Sequence, residues 1–357
     1  MAARMKEFYD SLTKQERASL QEVARKYGRE LYGRYETLLS EKATSTSPYY
    51  VGLSSEMGSF THVTKRVVLV TDTMLLSDHG VGAVHEVGYS RRVTGTATLP
   101  PHGAGEPGMQ ISHYEDYRYG MVTKDLAELG QWLLDAEPLL RSGLVWYGPV
   151  FVRGETGDGT TVFGEHSPAG PLPSFQSSSI DYLVRHGRAV DLSRAKPLAS
   201  RVVRPILEID LPFIDGLNLS DFAQVTSEEF DSYRQYRDFM RSRLLELDDA
   251  LEAVDSQVAV ERVALSIREE VNAATAEMRK TTRSEALSRS GAVLGTTSAI
   301  LAAVRPEALQ GALATSATLA AGATGLWPTI QAFAEGRTKN TQGKWHYVWV
   351  LQRRAAR

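Results

Sequence analysis

From Asn218 to Ser290 the chain contains neither glycine nor proline. Those are the two residues that cost a helix interior most, so a stretch this long without them is committed to long helices. Within it Met240, Leu244, Leu247, Leu251, Val254 and Val258 follow the alternating four and three spacing of a helix seam. The seam then jumps to Val260, Val263, Ile267, Val271, Ala274 and Met278, which places a register slip near Asp255 and Ser256. One helix with a stutter, or a second helix capped by Asp255 or Ser256, accounts for the slip. Thr226 and Glu229 have capping-box spacing and are expected near the start of the run. A seam that changes phase after a few heptads favours an intramolecular bundle over a coiled coil between chains.

The helical run leads into two stretches without charge, Ser290 to Val304 and Ala308 to Ala334, separated by Arg305, Pro306 and Glu307. Gly291, Gly295, Ser298 and Ala302 fall on one helical face, and Ala308, Gly311, Thr315, Thr318, Gly322 and Gly325 repeat the device. Two such faces can approach closely, so a helical hairpin is expected over 284–334. Its contact residues would include Gly291, Gly295, Gly311, Leu313, Leu319, Gly322, Leu326 and Trp327. The first stretch is too short for a bilayer and the second is poor in large apolar residues, so a soluble buried hairpin is the preferred reading, with conditional membrane insertion as the other. The aromatic and β-branched run KWHYVWVLQRR is expected to form a final strand at 345–352.

The N-terminal part alternates in character. Residues 5–42 lack proline and read as helix, whereas RVVLVTDTMLL (66–76) and RVVRPILEIDLP (201–212) read as strands, the latter an edge or bent strand at Pro205. Residues 77–120 are rich in Gly and Pro, with short strands around Val84 and Tyr89. Thr123 is expected to cap a helix through LAELGQWLL, LVWYGPVFV to be a strand, and Gly154–Ser179 to be a loop or linker. The expected fold class is α+β: a mixed α/β domain over 1–215, then a long-helix domain over 216–357 carrying the small-residue hairpin and the terminal strand.

Chemistry has few places to reside. With no cysteine, disulfides, thiolate metal sites and cysteine nucleophiles are excluded. A net charge of −3 gives no global attraction to nucleic acid, leaving only a local stripe such as Arg185, Arg188, Arg201 and Arg204. The richest cluster is TDTMLLSDHGVGAVHE, with Asp72 and Asp78 as candidate catalytic carboxylates and Asp78, His79, His85 and Glu86 as candidate metal ligands. Turn chemistry after a strand explains the same residues. Glu208 and Asp210, if on a regular strand, would share a face and with a third acid such as Asp72 could form a nuclease-like metal site. No dinucleotide fingerprint, phosphate-binding loop or GxSxG survives its context. Tyr114, Tyr117 and Tyr119 in HYEDYRYG fit cross-strand aromatic pairing better than base stacking.

The expected function is therefore non-enzymatic: a cytoplasmic interaction or assembly protein. Its helical half would bind a protein partner, form a homo-oligomer or, conditionally, meet a membrane. The N-terminus turns charged too early for a signal peptide, which underlies the cytoplasmic expectation. No cofactor is expected; a divalent metal belongs only to the alternative, a hydrolase or nuclease using the acidic residues above.

Overall fold

The computed structural model describes residues 1–32, 34–78, 82–99, 109–157, 160–164, 179–192, 196–208, 211–255 and 343–355, with Val258, Ala259, Arg262, Val263, Leu265 and Ser266. The hairpin expected at 284–334, with Gly291, Gly295, Gly311, Leu313, Leu319, Gly322, Leu326 and Trp327, lies outside these residues. The chain is α+β, with a mixed sheet region, a helical region and a C-terminal helix.

Four helices come first: α1 (Ala2–Asp10), α2 (Lys14–Arg17), α3 (Leu20–Tyr32) and α4 (Tyr35–Thr44). The single helix expected over 5–42 is thus divided, because Thr13 and Glu16 complete a capping box that restarts the helix. Along α3 the buried residues Val23, Ala24, Tyr27 and Leu31 recur every three or four positions and form its core face.

The main sheet contains β1 (Tyr50–Ser55), β2 (Thr73–Asp78), β5 (Val145–Tyr147), β8 (Tyr182–Arg185) and β9 (Arg188–Asp191), in the order β5-β2-β1-β8-β9. All neighbours are parallel except the β8–β9 hairpin. Strands β5, β2 and β1 are almost wholly buried, as expected for parallel strands covered on both faces. A second, antiparallel sheet contains β3 (Ala83–Leu99), β4 (Met109–Thr123), β6 (Val150–Gly157) and β7 (Thr160–Gly164) in the order β3-β4-β6-β7. The region read as a Gly/Pro-dense stretch with two short strands is therefore mostly one long hairpin. Part of the expected 154–179 loop is likewise strand, in β6 and β7.

Helix α5 (Phe60–Val67), entered through a 3-10 turn at Met57–Ser59, joins β1 to β2, while α6 (Leu126–Asp135) and α7 (Glu137–Arg141) lead from β4 to β5. The strand expected at 66–76 is thus half helix end and half strand. Every residue from Val67 to Val70 is buried, and a continuous apolar run carries no period to separate the two states. Thr123 ends β4, and Asp125 is the cap of α6, accepting from the Ala127 and Glu128 backbones.

Side chains hydrogen-bond to both edge strands of the main sheet. The Tyr27 hydroxyl donates to the Tyr147 carbonyl at 2.8 Å and accepts its N–H at 3.0 Å, covering β5. On the other side, Arg204 Nε donates to the Ala189 carbonyl of β9 at 3.4 Å. At β5 this occupies ladder groups that an edge strand would otherwise leave open to pairing.

The remaining helices are α8 (Pro197–Glu208), α9 (Pro212–Asp215), α10 (Leu219–Glu228), α11 (Phe230–Glu252) and α12 (Lys344–Ala355). Two sequence expectations are corrected here. Residues 201–208 are helix, because Val202, Val203, Ile206 and Leu207 are buried while Arg204 and Glu208 are exposed, a helical and not an alternating pattern. The terminal run expected as a strand at 345–352 is helix α12, which buries Tyr347, Val348 and Leu351 in the same manner. Packing decides both cases over β-propensity, which is a property of context. The cap of α10 is Asn218, accepting from Asp221; Thr226 lies inside α10 and makes no capping box with Glu229.

Candidate functional site

The structure separates the acidic residues singled out in the sequence. Asp72 precedes β2 and Asp78 ends it, so the two carboxylates stand at opposite ends of a six-residue strand, about 20 Å of chain apart. Asp72 accepts from the Ser47 hydroxyl at 2.6 Å and from Arg241 at 2.8 Å, with Arg237 at 3.2 Å. Burial pushes its carboxyl up, and the Ser47 hydroxyl with the two guanidinium groups more than offsets that, holding it below the usual carboxylate range. Asp72 is therefore a structural anchor between β2 and α11.

Asp78 is nearly buried and receives the Lys124 backbone N–H at 3.4 Å. His85 Nε2 lies 3.2 Å from the Thr123 carbonyl, whereas Glu86 pairs with Arg118 at 2.9 Å on the surface. Glu208 ends helix α8, which removes the strand face it was expected to share with Asp210. His79 and Asp210 lie outside the described residues. Among the described residues no three His, Asp or Glu side chains are grouped to hold a metal ion.

The arginine stripe does not assemble as a set either. Arg201 pairs with Asp248 and Asp249, and Arg204 covers the β9 edge, so only Arg185 and Arg188 stay on the exposed β8–β9 turn. In the β3–β4 hairpin Tyr114 stands opposite Val93, and Tyr117 opposite Ser90. Tyr119 turns inward and stacks on Tyr32 with ring centroids 3.8 Å apart.

Two features were not visible in the sequence. The first is the polar carboxyl end of the parallel sheet. Register places Ser55 beside Asp78 and Leu76 beside Tyr147, so Ser55, Asp78 and Tyr147 share one sheet face. On the opposite face Ser54 and Ser77 donate to the Asp78 carbonyl at 3.4 and 3.2 Å, and Ser77 also reaches Gly148 at 2.8 Å. The Tyr147 hydroxyl is fully buried; burial, then the Asp78 charge, push it far above its ordinary range. Serines within an apolar strand give no signal until strand order is known.

The second feature is a pair of adjacent stems on α11. Arg243 donates to the Ser266 hydroxyl at 3.2 Å, and one turn earlier Phe239 packs on Trp345 at 5.3 Å and under the Lys344 ammonium at 4.2 Å. The Arg243 guanidinium also lies over the Phe239 ring at 5.5 Å. Ser266 and Lys344 thus both contact α11 within one turn of it.

The arrangement defines an α+β protein built on a parallel sheet whose strand order reverses beside β1, with a helical layer closed by its C-terminal helix. Comparison with family models, curated proteins and solved structures finds no match to this chain.

Proposed function

We propose that this chain is a non-enzymatic interaction or assembly protein, acting in the cytoplasm, whose helical C-terminal half binds a protein partner, a second copy or, conditionally, a membrane surface. The observation that supports this reading is that Ser266 and Lys344, which flank the charge-free sequence of 290–334 along the chain, contact neighbouring positions of α11 at Arg243 and Phe239. The seam supports it as well. Met240, Leu244 and Leu247 are buried, whereas Val254, Val258 and Leu265 are exposed by 103%, 55% and 54%. Apolar residues continued past the point where the body covers them suit a surface that exchanges one burial partner for another. No helix among the described residues is long and apolar enough to cross a membrane. Of the residues proposed for the hydrolase alternative, Asp72 and Asp78 lie at opposite ends of β2 among the described residues.

The test is flotation with anionic and neutral vesicles, run beside sedimentation of the free protein. The comparison variant carries Leu313, Leu319 and Leu326 changed to Asn. The expected result is flotation or self-association by the wild type that is lost in the folded variant. A wild type that stays monomeric and never floats, or a variant that behaves identically, overturns the assignment to this region.

A further inference from the structure

The strands of the antiparallel sheet differ greatly in length. β3 runs from Ala83 to Leu99 and β4 from Met109 to Thr123, yet β6 pairs with β4 only from Arg118 to Val122. Among the described residues, Met109–Tyr117 of β4 therefore pair with β3 alone. At about 3.4 Å per residue this two-stranded ribbon continues for about 30 Å past the last β6 pair. Two strands by themselves are marginal in water, and stability comes with a third strand or a packed face. β3 is the terminal strand in the order β3-β4-β6-β7, so no described strand pairs with its outer edge.

That edge is not uniform. Register shifts between Glu86 and Gly88 and between Val93 and Gly95 interrupt β3 twice, and such bulges bend and twist an edge away from other strands. From Gly95 the ladder is regular to Leu99, where Pro100 and Pro101 follow in the sequence. The segment from Gly95 to Leu99 has no charge and no proline, two of the devices that otherwise protect an edge, and Thr96 is exposed. Register puts Ala97 and Leu99 on one face with Ile111 and Met109, and Thr96 and Thr98 on the other with Ser112 and Gln110.

We propose that the Gly95–Leu99 edge pairs with the same edge of a second copy of this chain, antiparallel and centred on Ala97. A two-fold contact requires a surface complementary to itself. About Ala97 this condition is met: Thr96 faces Thr98 of the second copy, a favourable cross-strand pair, and Gly95 faces its Leu99. Arg91 and Arg92 fall outside the paired segment, so no like charges meet. The product is a four-stranded ribbon with one apolar face, which supplies the extra strands that each ribbon lacks alone. The two bodies, attached at the Ala83 and Thr123 ends, stand at opposite ends of it. The surface is separate from the helical C-terminal half and independent of the function proposed for that half.

The test is sedimentation velocity of the full chain over a concentration series. The wild type is expected to dimerise below about 100 µM. Thr96→Lys/Thr98→Lys sets ammonium against ammonium twice across the axis and is expected to weaken the dimer at least about tenfold. Thr96→Lys/Thr98→Glu loses the same two threonines but opposes unlike charges, and is expected to restore the dimer to within about threefold of wild type. Circular dichroism of both variants checks that they fold. A wild type monomeric throughout overturns the proposal, as does a dimer that both variants leave unchanged or weaken equally. Amide exchange gives a second readout. The Gly95–Leu99 amides turned away from β4 should gain protection as concentration rises; protection already present in the monomer places another segment of the same chain on the edge and overturns the second-copy assignment. The variant with Leu313, Leu319 and Leu326 changed to Asn is expected to keep this dimer, flotation or association beyond the dimer being what it removes. A dimer lost there and retained in Thr96→Lys/Thr98→Lys overturns the assignment to β3.

Discussion

Arg241 carries more of the contact between α11 and the sheet than any sequence pattern announces. Its Nε donates to the Val70 carbonyl at 2.7 Å, its terminal nitrogen pairs with Asp72 at 2.8 Å, and its guanidinium lies 4.0 Å from the Tyr49 ring centroid. Arg241→Ala is expected to cost about 2–3 kcal/mol in urea unfolding, since it removes hydrogen bonds to a charged group. The full cost of breaking a buried pair is not reached because the Asp72 side chain keeps 36% of its surface exposed. The loss has a direction in pH. The Asp72 carboxyl is depressed in the folded state, so its stabilisation is present above the ordinary carboxylate pKa and fades as pH falls through the folded value. Wild type and Arg241→Ala should therefore differ most near neutrality and converge in acid; a gap that widens on acidification would contradict this account.

At the scale of elements, the placement of α12 on α10 and α11 turns on one buried pair of hydroxyls. Tyr347 and Thr226 lie 2.8 Å apart, and Thr226 also reaches the Phe222 carbonyl at 2.7 Å. Tyr347→Phe leaves Thr226 with a partner and should cost only about 1 kcal/mol. Thr226→Val instead strands the Tyr347 hydroxyl in the core and should cost more, about 2 kcal/mol, measured as the difference between the two variants in chemical denaturation. The same element shows what was legible in advance. The α+β class is readable from composition and punctuation, yet α8 and α12 read as strands because of their β-branched residues and, in α12, its aromatic ones. The spacing of Val202, Val203, Ile206 and Leu207 held the helical answer, and β-propensity competed with it. Asp78 was recognisable as a residue at a strand end. Its neighbours were not, because Ser55 and Tyr147 reach it only through the pairing of β1, β2 and β5, which local sequence does not encode.

For the whole molecule, the described body includes helix α12, which follows residues 267–342 in the sequence. α12 contributes Tyr347, Val348 and Leu351 to the core that also contains Val51, Leu75 and Tyr236. The body is therefore expected to fold with residues 267–342 replaced by a short Gly/Ser linker, retaining its circular dichroism and a cooperative melt. Loss of cooperative folding in that deletion would show that the body depends on the removed segment. Closure at the Phe239–Arg243 turn also bears on how such a chain can vary over time. When both ends of a segment are held side by side, chain-closure entropy grows only logarithmically with the residues between them, by about 0.6 kcal/mol for each doubling of a flexible loop. Because Ser266 and Lys344 both contact the Phe239–Arg243 turn, adding or removing residues between them is expected to shift the melting temperature little, which a series of length variants would measure.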